Sequence, residues 1–171
     1  MRSTSGASLP RPPGRGSARP APLYTDAERR RRDASPWTVV QGVLAPLQFL
    51  VFLVSLALVL RWFASGEGLA AAQASVLVKT ALLLTIMVTG AVWEKVVFGR
   101  WLFAPAFFWE DVFSIGVIAL HLAYVVAWWI GRPGPGGQLA IALAAYAAYV
   151  VNAAQFLVKL RAARRDVAVA A

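Results

Sequence analysis

The chain has 171 residues, of which 59% are hydrophobic and 15% charged, against about half and about a quarter in ordinary soluble domains, which argues against a soluble globular domain. It has no cysteine and a single histidine, His121, which excludes disulfides, thiolate metal sites, iron–sulfur clusters, a cysteine nucleophile and any multi-histidine zinc site. The formal charge of +9, from 17 basic and 8 acidic residues, sits at the chain ends, and the mean hydropathy is +0.62.

Residues 1–23 are rich in Pro, Gly, Ser, Ala and Arg. Such a stretch buries too little apolar surface to offset its ordering entropy, so a disordered extension is expected. It also lacks the apolar run of a secretory signal. A short polar helix is expected over 25–33, with Arg29, Arg30, Arg31 and Arg32 as its basic end. Four apolar segments follow, over 39–63, 69–98, 107–130 and 139–160. Each reaches the roughly 20 residues that cross about 30 Å of hydrocarbon as a helix. Backbone groups in lipid must be satisfied internally and no barrel-like alternation is visible, so these segments are helices. Ser35-Pro36 provides an N-cap followed by proline at the first helical position. The second segment exceeds a perpendicular span, and its membrane part is placed near 80–98, with Lys79 snorkelling at one end. Pro105 can start the third helix, and 132–137 form a tight loop before the fourth. The expected fold is all-α: an integral-membrane four-helix bundle over 24–165, with 166–171 as a short tail.

Basic residues set the orientation. Arg29 to Arg32, Arg100, Arg161, Arg164 and Arg165 flank one side, with Lys95 and Lys159 at helix ends; the alternate loops carry only Arg61 and Arg132. Four spans with both termini cytoplasmic satisfy the positive-inside rule. The basic flanks can also touch anionic lipid, and nucleic acid is not needed to explain them.

Polar groups inside spans are costly and are functional candidates by default. With this topology Gln41 and Gln48, Glu94 and Lys95, Glu110, Asp111 and Ser114, and Asn152 and Gln155 all fall in the cytoplasmic half. The outer half offers mainly Ser55, Lys79 and small hydroxyl residues. Trp93-Glu94-Lys95-Val96 and Trp109-Glu110-Asp111-Val112 echo each other across the cytoplasmic loop. Glu94 lies near a helix C-terminus, where the dipole disfavours negative charge, and Glu110 and Asp111 lie near an N-terminus, where it favours one. General acid–base chemistry requires such a contrast: Glu94 as acid, Glu110 or Asp111 as base. The alternative is structural, with Glu94 paired to Lys95 or Arg100 and the acidic pair capping the third helix. His121, eleven residues after Glu110, falls about 16 Å deeper on nearly the same face, with Ser114 between them. It can ligate a bound metal or hold a polar substrate group, or simply bond a neighbouring helix. Asn152 and Gln155 fit interhelical hydrogen bonding at least as well as ligand binding. Trp101, Phe103, Phe107, Phe108 and Trp109 form an interfacial belt first, and secondly the wall of a pocket for a flat apolar ligand.

Four blocks carry a family resemblance. Arg30-Arg31-Arg32-Asp33-Ala34-Ser35-Pro36-Trp37-Thr38-Val39-Val40-Gln41-Gly42-Val43-Leu44-Ala45-Pro46-Leu47-Gln48-Phe49 opens the first span. Trp93-Glu94-Lys95-Val96-Val97-Phe98-Gly99 and Leu102-Phe103-Ala104-Pro105-Ala106-Phe107-Phe108-Trp109-Glu110-Asp111 flank the middle loop. Ala144-Ala145-Tyr146-Ala147-Ala148-Tyr149-Val150-Val151-Asn152-Ala153-Ala154-Gln155-Phe156 lies in the last span. Together they resemble the 2-vinyl bacteriochlorophyllide hydratases, over about 23–165.

The resemblance implies a hydro-lyase of bacteriochlorophyll a synthesis, in a bacterial inner (photosynthetic) membrane, that adds water to the ring-A vinyl group of chlorophyllide a or its bacteriochlorin counterpart to give a 1-hydroxyethyl group. It carries no catalytic assignment with it, so the roles come from the residues. The candidate acid–base set is Glu94, Glu110 and Asp111; the candidate substrate-binding set is His121, Ser114, Asn152, Gln155, Gln48 and Lys95. No cofactor or protein-bound metal is expected, the magnesium being carried by the substrate, and His121 can reach it. The implied partners are the chlorophyllide-type pigment, water and the bilayer, with a homo-oligomer or a complex with other pigment-synthesis enzymes left open and no nucleic acid. The alternatives are a non-catalytic membrane pigment- or haem-binding subunit and a small transporter; the latter would show inverted repeats and broken helices.

Overall fold

The computed structural model describes the backbone of residues 23–170 and the side chains of 23–161. It contains five helices: α1 (Asp26–Ala34), α2 (Pro36–Ser65), α3 (Leu69–Phe98), α4 (Phe108–Ile130) and α5 (Pro135–Ala170). There is no strand among the described residues. The disordered extension expected at the N-terminus falls, up to residue 22, outside the described residues.

Local sequence accounts for the helix ends. Thr25 caps α1 in a capping box: its side chain accepts from the Glu28 N–H, and the Glu28 carboxylate accepts from the Thr25 N–H, satisfying two otherwise orphaned donors. Those bonds from Thr25 hold the Glu28 carboxyl below its ordinary range. Ser35 caps α2 by accepting from the Trp37 N–H, with Pro36 at the first position. Gly99 and Gly131 end α3 and α4 at φ 78° and 72°, left-handed values that glycine adopts without a Cβ penalty.

Three boundaries differ from expectation. Helix α5 begins at Pro135, inside the 132–137 stretch expected to be a loop, because proline suits the first position of a helix. The stretch from Pro105 is a turn, and α4 starts only at Phe108, because the Glu94 and Asp111 carboxyls hold the backbone N–H groups just before that turn. Helix α5 runs on to Ala170, well past residue 160, since nothing after Gly137 breaks a helix and Ala and Arg are strong helix formers.

Four of the helices, α2, α3, α4 and the 135–161 part of α5, are long and apolar enough to cross a membrane. Their outward faces carry large apolar side chains such as Leu50, Val88, Val126 and Val150, as lipid contact requires. The chain folds as two antiparallel hairpins, α2 with α3 and α4 with α5, with lighter contact between them. Away from the termini the hairpins close on a core that includes Phe52, Val59, Val76, Val117, Tyr124 and Tyr146. Hydrogen bonds from Ser55 to Ser75 (2.7 Å) and Tyr146 (2.6 Å) tie three helices there. Lys79 overturns the snorkelling expectation. It is fully buried in this core, its Nζ 3.8 Å from the Tyr149 ring centroid and without a hydrogen-bond partner. The residue faces inward, where aromatic faces rather than lipid headgroups meet the ammonium. Helix α3 is therefore continuous through this position, about 45 Å long by its 30 residues.

At the end carrying both termini the hairpins leave a gap, and α1 closes over it. Tyr24 stacks on Phe98 (5.7 Å) and tilts against Phe107 (6.3 Å), and Arg31 Nε donates to the Val97 carbonyl at 2.8 Å.

Candidate active site

The gap is a cavity of about 1070 Å³ lined by all five helices and the α3–α4 loop, at the upper end of the usual range for small-molecule sites. Small residues make the room: Gly42, Ala45, Gly90, Ala91 and Ala153 lie on the wall, and a Cβ placed on Gly42 would meet nothing within 4 Å. Pro46, also on the wall, has no N–H, so the Gly42 carbonyl one turn earlier loses its usual helical donor. Phe49, Trp93, Phe107, Tyr149 and Phe156 supply broad apolar faces, with Phe107 packed between Trp93 (5.8 Å) and Phe156 (6.0 Å).

Into this apolar chamber project two acids. Glu94, 5% exposed, and Asp111, 4% exposed, come from α3 and α4, and both line this one cavity. Glu94 Oε2 accepts from the Ala104 N–H at 3.1 Å and Asp111 Oδ2 from the Phe103 N–H at 2.7 Å. The acids thus fix the loop between their helices, including Phe103 at φ 58°, an outlying conformation for a bulky residue that needs such holding. Glu94 hydrogen-bonds neither Lys95 nor Arg100, and Asp111 is not a cap: Phe107 occupies the N-cap of α4 without a side-chain bond.

The remaining candidates divide by which way their helix face turns. Ser114, Asn152 and Gln48 line the same cavity as the acids. Asn152 Nδ2 donates to Ser114 Oγ at 2.9 Å, leaving Asn152 Oδ1 buried and without a donor. Glu110, next in sequence to Asp111, points instead at α5, where Lys159 Nζ meets its Oε2 at 2.6 Å. That pair and Gln155 border a separate shallow groove. Lys95 is exposed, donating to the Gly99 carbonyl at 3.0 Å. His121 is fully buried beside Tyr146, its Nδ1 2.8 Å from the Val117 carbonyl of its own helix, and it is not on the cavity wall. Of the five belt aromatics, Phe107 alone lines the cavity, while Trp101, Phe108 and Trp109 are exposed.

The match to known proteins is close. A model of the 2-vinyl bacteriochlorophyllide hydratases matches residues 24–162. The chain belongs to this family. A 2-vinyl bacteriochlorophyllide hydratase of Cereibacter sphaeroides is 70% identical over 144 residues, covering 84% of this chain and 89% of the relative. One of Rhodobacter capsulatus is 67% identical over 146 residues, 85% of each. No solved structure matches. For a member of the 2-vinyl bacteriochlorophyllide hydratase family, the wall also holds residues that the sequence argument did not treat as site residues: Tyr24, Arg29, Arg32, Thr38, Trp93 and Phe156. Trp93 and Phe156 sit inside the blocks that carry the resemblance, which was the available signal. Arg32 and Thr38 also sit inside the first of those blocks, and Arg29 was read only as flanking charge.

Proposed function

We propose that the chain adds water to the vinyl group of a chlorophyllide-type pigment, giving a 1-hydroxyethyl group, in the cavity between its two hairpins. The observation that carries this reading is the Glu94–Asp111 carboxyl pair buried in the wall of a large apolar cavity, in a chain of this family. Protonating the terminal vinyl carbon leaves a cation on the inner carbon, delocalised into the macrocycle. A water oxygen then bonds that carbon and loses one proton, so the acid is regenerated and the net change is one water. One proton held between Glu94 and Asp111 meets both needs, the pair acting as donor first and acceptor afterwards. Residual negative charge on the pair stabilises the cation in a chamber where little water competes. The unpartnered Asn152 Oδ1, on the same wall, is placed to accept from the attacking water. The trans-cavity aromatics offer a flat pigment the faces it needs. Acid, base and water complete the balance, and the magnesium travels with the substrate.

On this reading the protein is a multi-pass protein of the bacterial inner membrane, with both termini and the cavity mouth cytoplasmic. A C-terminal reporter that becomes active only outside the cytoplasm stays silent. The deciding experiment supplies chlorophyllide a to membranes containing the chain. A product heavier by one water supports the reading, and unchanged pigment in membranes that bind it refutes it in favour of a non-catalytic pigment-binding subunit.

A further inference from the structure

Four consecutive arginines of α1 have different environments. Arg30 is exposed. Arg31 donates through Nε to the Val97 carbonyl. Arg32 donates through Nε to Asp33 Oδ1 at 2.8 Å, and its guanidinium lies 4.8 Å from the Tyr24 ring centroid. Arg29 and Arg32 both line the cavity, and the Nε of Arg29 is buried with no hydrogen-bond partner. A desolvated guanidinium N–H is normally paired, most effectively by a carboxylate or phosphate whose two oxygens match its fork. The nearest acids in the same chamber already hold backbone N–H groups of the α3–α4 loop. The chamber therefore carries an unmet anion requirement on its α1 side, while the rest of its wall is mainly apolar.

We infer that Arg29 is a specificity-determining residue that takes the carboxylate of the pigment's propionate side chain. The inference rests on the hydratase reading, in which the substrate is a flat apolar ring bearing one free acid. Seated this way, the carboxylate stays on the α1 side and the ring lies in the apolar interior. A pigment whose propionate is esterified offers no charge to Arg29 and must fit its alcohol chain past α1. Arg29 thus selects the free acid over the ester, and it also fixes the rotation of the ring relative to Glu94 and Asp111.

The test measures binding and turnover of chlorophyllide a and of its methyl ester by the full chain in membranes, following pigment fluorescence and product mass. The unsubstituted protein binds the acid more tightly than the ester. Arg29→Gln weakens acid binding about 10- to 100-fold, the range of one or two charge-assisted hydrogen bonds, and leaves the ester unchanged. Arg29→Lys restores part of the preference, and Arg30→Gln, on the exposed face, alters neither pigment. Equal affinity of the unsubstituted protein for acid and ester overturns the inference, whatever the variants do. So does Arg29→Gln weakening both pigments alike while the Arg29→Lys protein, intact, shows no preference. Binding is read without turnover, so an Arg29-dependent preference for an acid that is never hydrated overturns the hydratase reading and leaves the anchor standing. Hydration of acid and ester at equal rates overturns the anchor alone.

Discussion

Glu94→Gln separates the two things that Glu94 does. The carboxyl holds the α3–α4 loop through the Ala104 N–H at 3.1 Å, and in the proposed mechanism it shares a transferable proton with Asp111. Glutamine is nearly isosteric: its carbonyl still accepts from Ala104, and its amide N–H can donate to Asp111. What it loses structurally is the extra strength of a charge-assisted bond, about 1 kcal/mol. The level and thermal stability of the protein in the membrane therefore change little. What it loses chemically is the proton for the vinyl carbon, for which removal of a general acid costs about 10²-fold or more, or about 2.7 kcal/mol in the barrier. The assay compares hydration of chlorophyllide a with pigment binding: turnover falls at least that far while binding holds. Glu94→Ala loses the loop bond as well and falls in both. If the two carboxyls act as a unit, as the mechanism requires, the double variant with Asp111→Asn is about as slow as the slower single variant. Turnover of Glu94→Gln within about threefold of the unsubstituted enzyme would refute the role, since no general acid of this kind contributes so little.

Three further substitutions test the surroundings. Gly42→Leu fills open cavity space, since a Cβ there meets nothing within 4 Å; pigment binding falls while thermal stability holds or rises by up to about 1 kcal/mol from helix propensity, and unchanged binding would place the pigment elsewhere. Lys79→Met removes a fully buried ammonium without a hydrogen-bond partner but keeps its volume; the thermal midpoint holds or rises, because an unpaired buried charge is costly, and a clear fall would reveal an unseen partner. His121→Gln makes no difference between binding of magnesium and metal-free pigment, because its ring lies off the cavity wall; a selective loss of the magnesium pigment would show that the ring reaches the metal.

How far the sequence leads is set by which degree of freedom each signal constrains. Helices of 23 to 30 residues that are apolar enough to cross a membrane leave the backbone little choice, so the helices, their alternating direction and the end of the bundle at which most polar groups lie were legible. Depth alone brings Gln48, Glu94, Asp111, Ser114 and Asn152 to one end of the bundle. Rotation about each axis was not legible, because these helices are apolar nearly all round and no polar face announces which side is inward. One residue turns about 100°, which is why Asp111 faces the cavity and Glu110 faces Lys159. The same ambiguity hid the inward turn of Lys79 and the sealed position of His121. The arginine run posed the converse problem. On an isolated polar helix four consecutive charges are equivalent to solvent, and they become distinct only when Tyr24 docks between Phe98 and Phe107. That contact, made by a residue just outside the first helix, turns Arg29 toward the chamber and leaves Arg30 in the open.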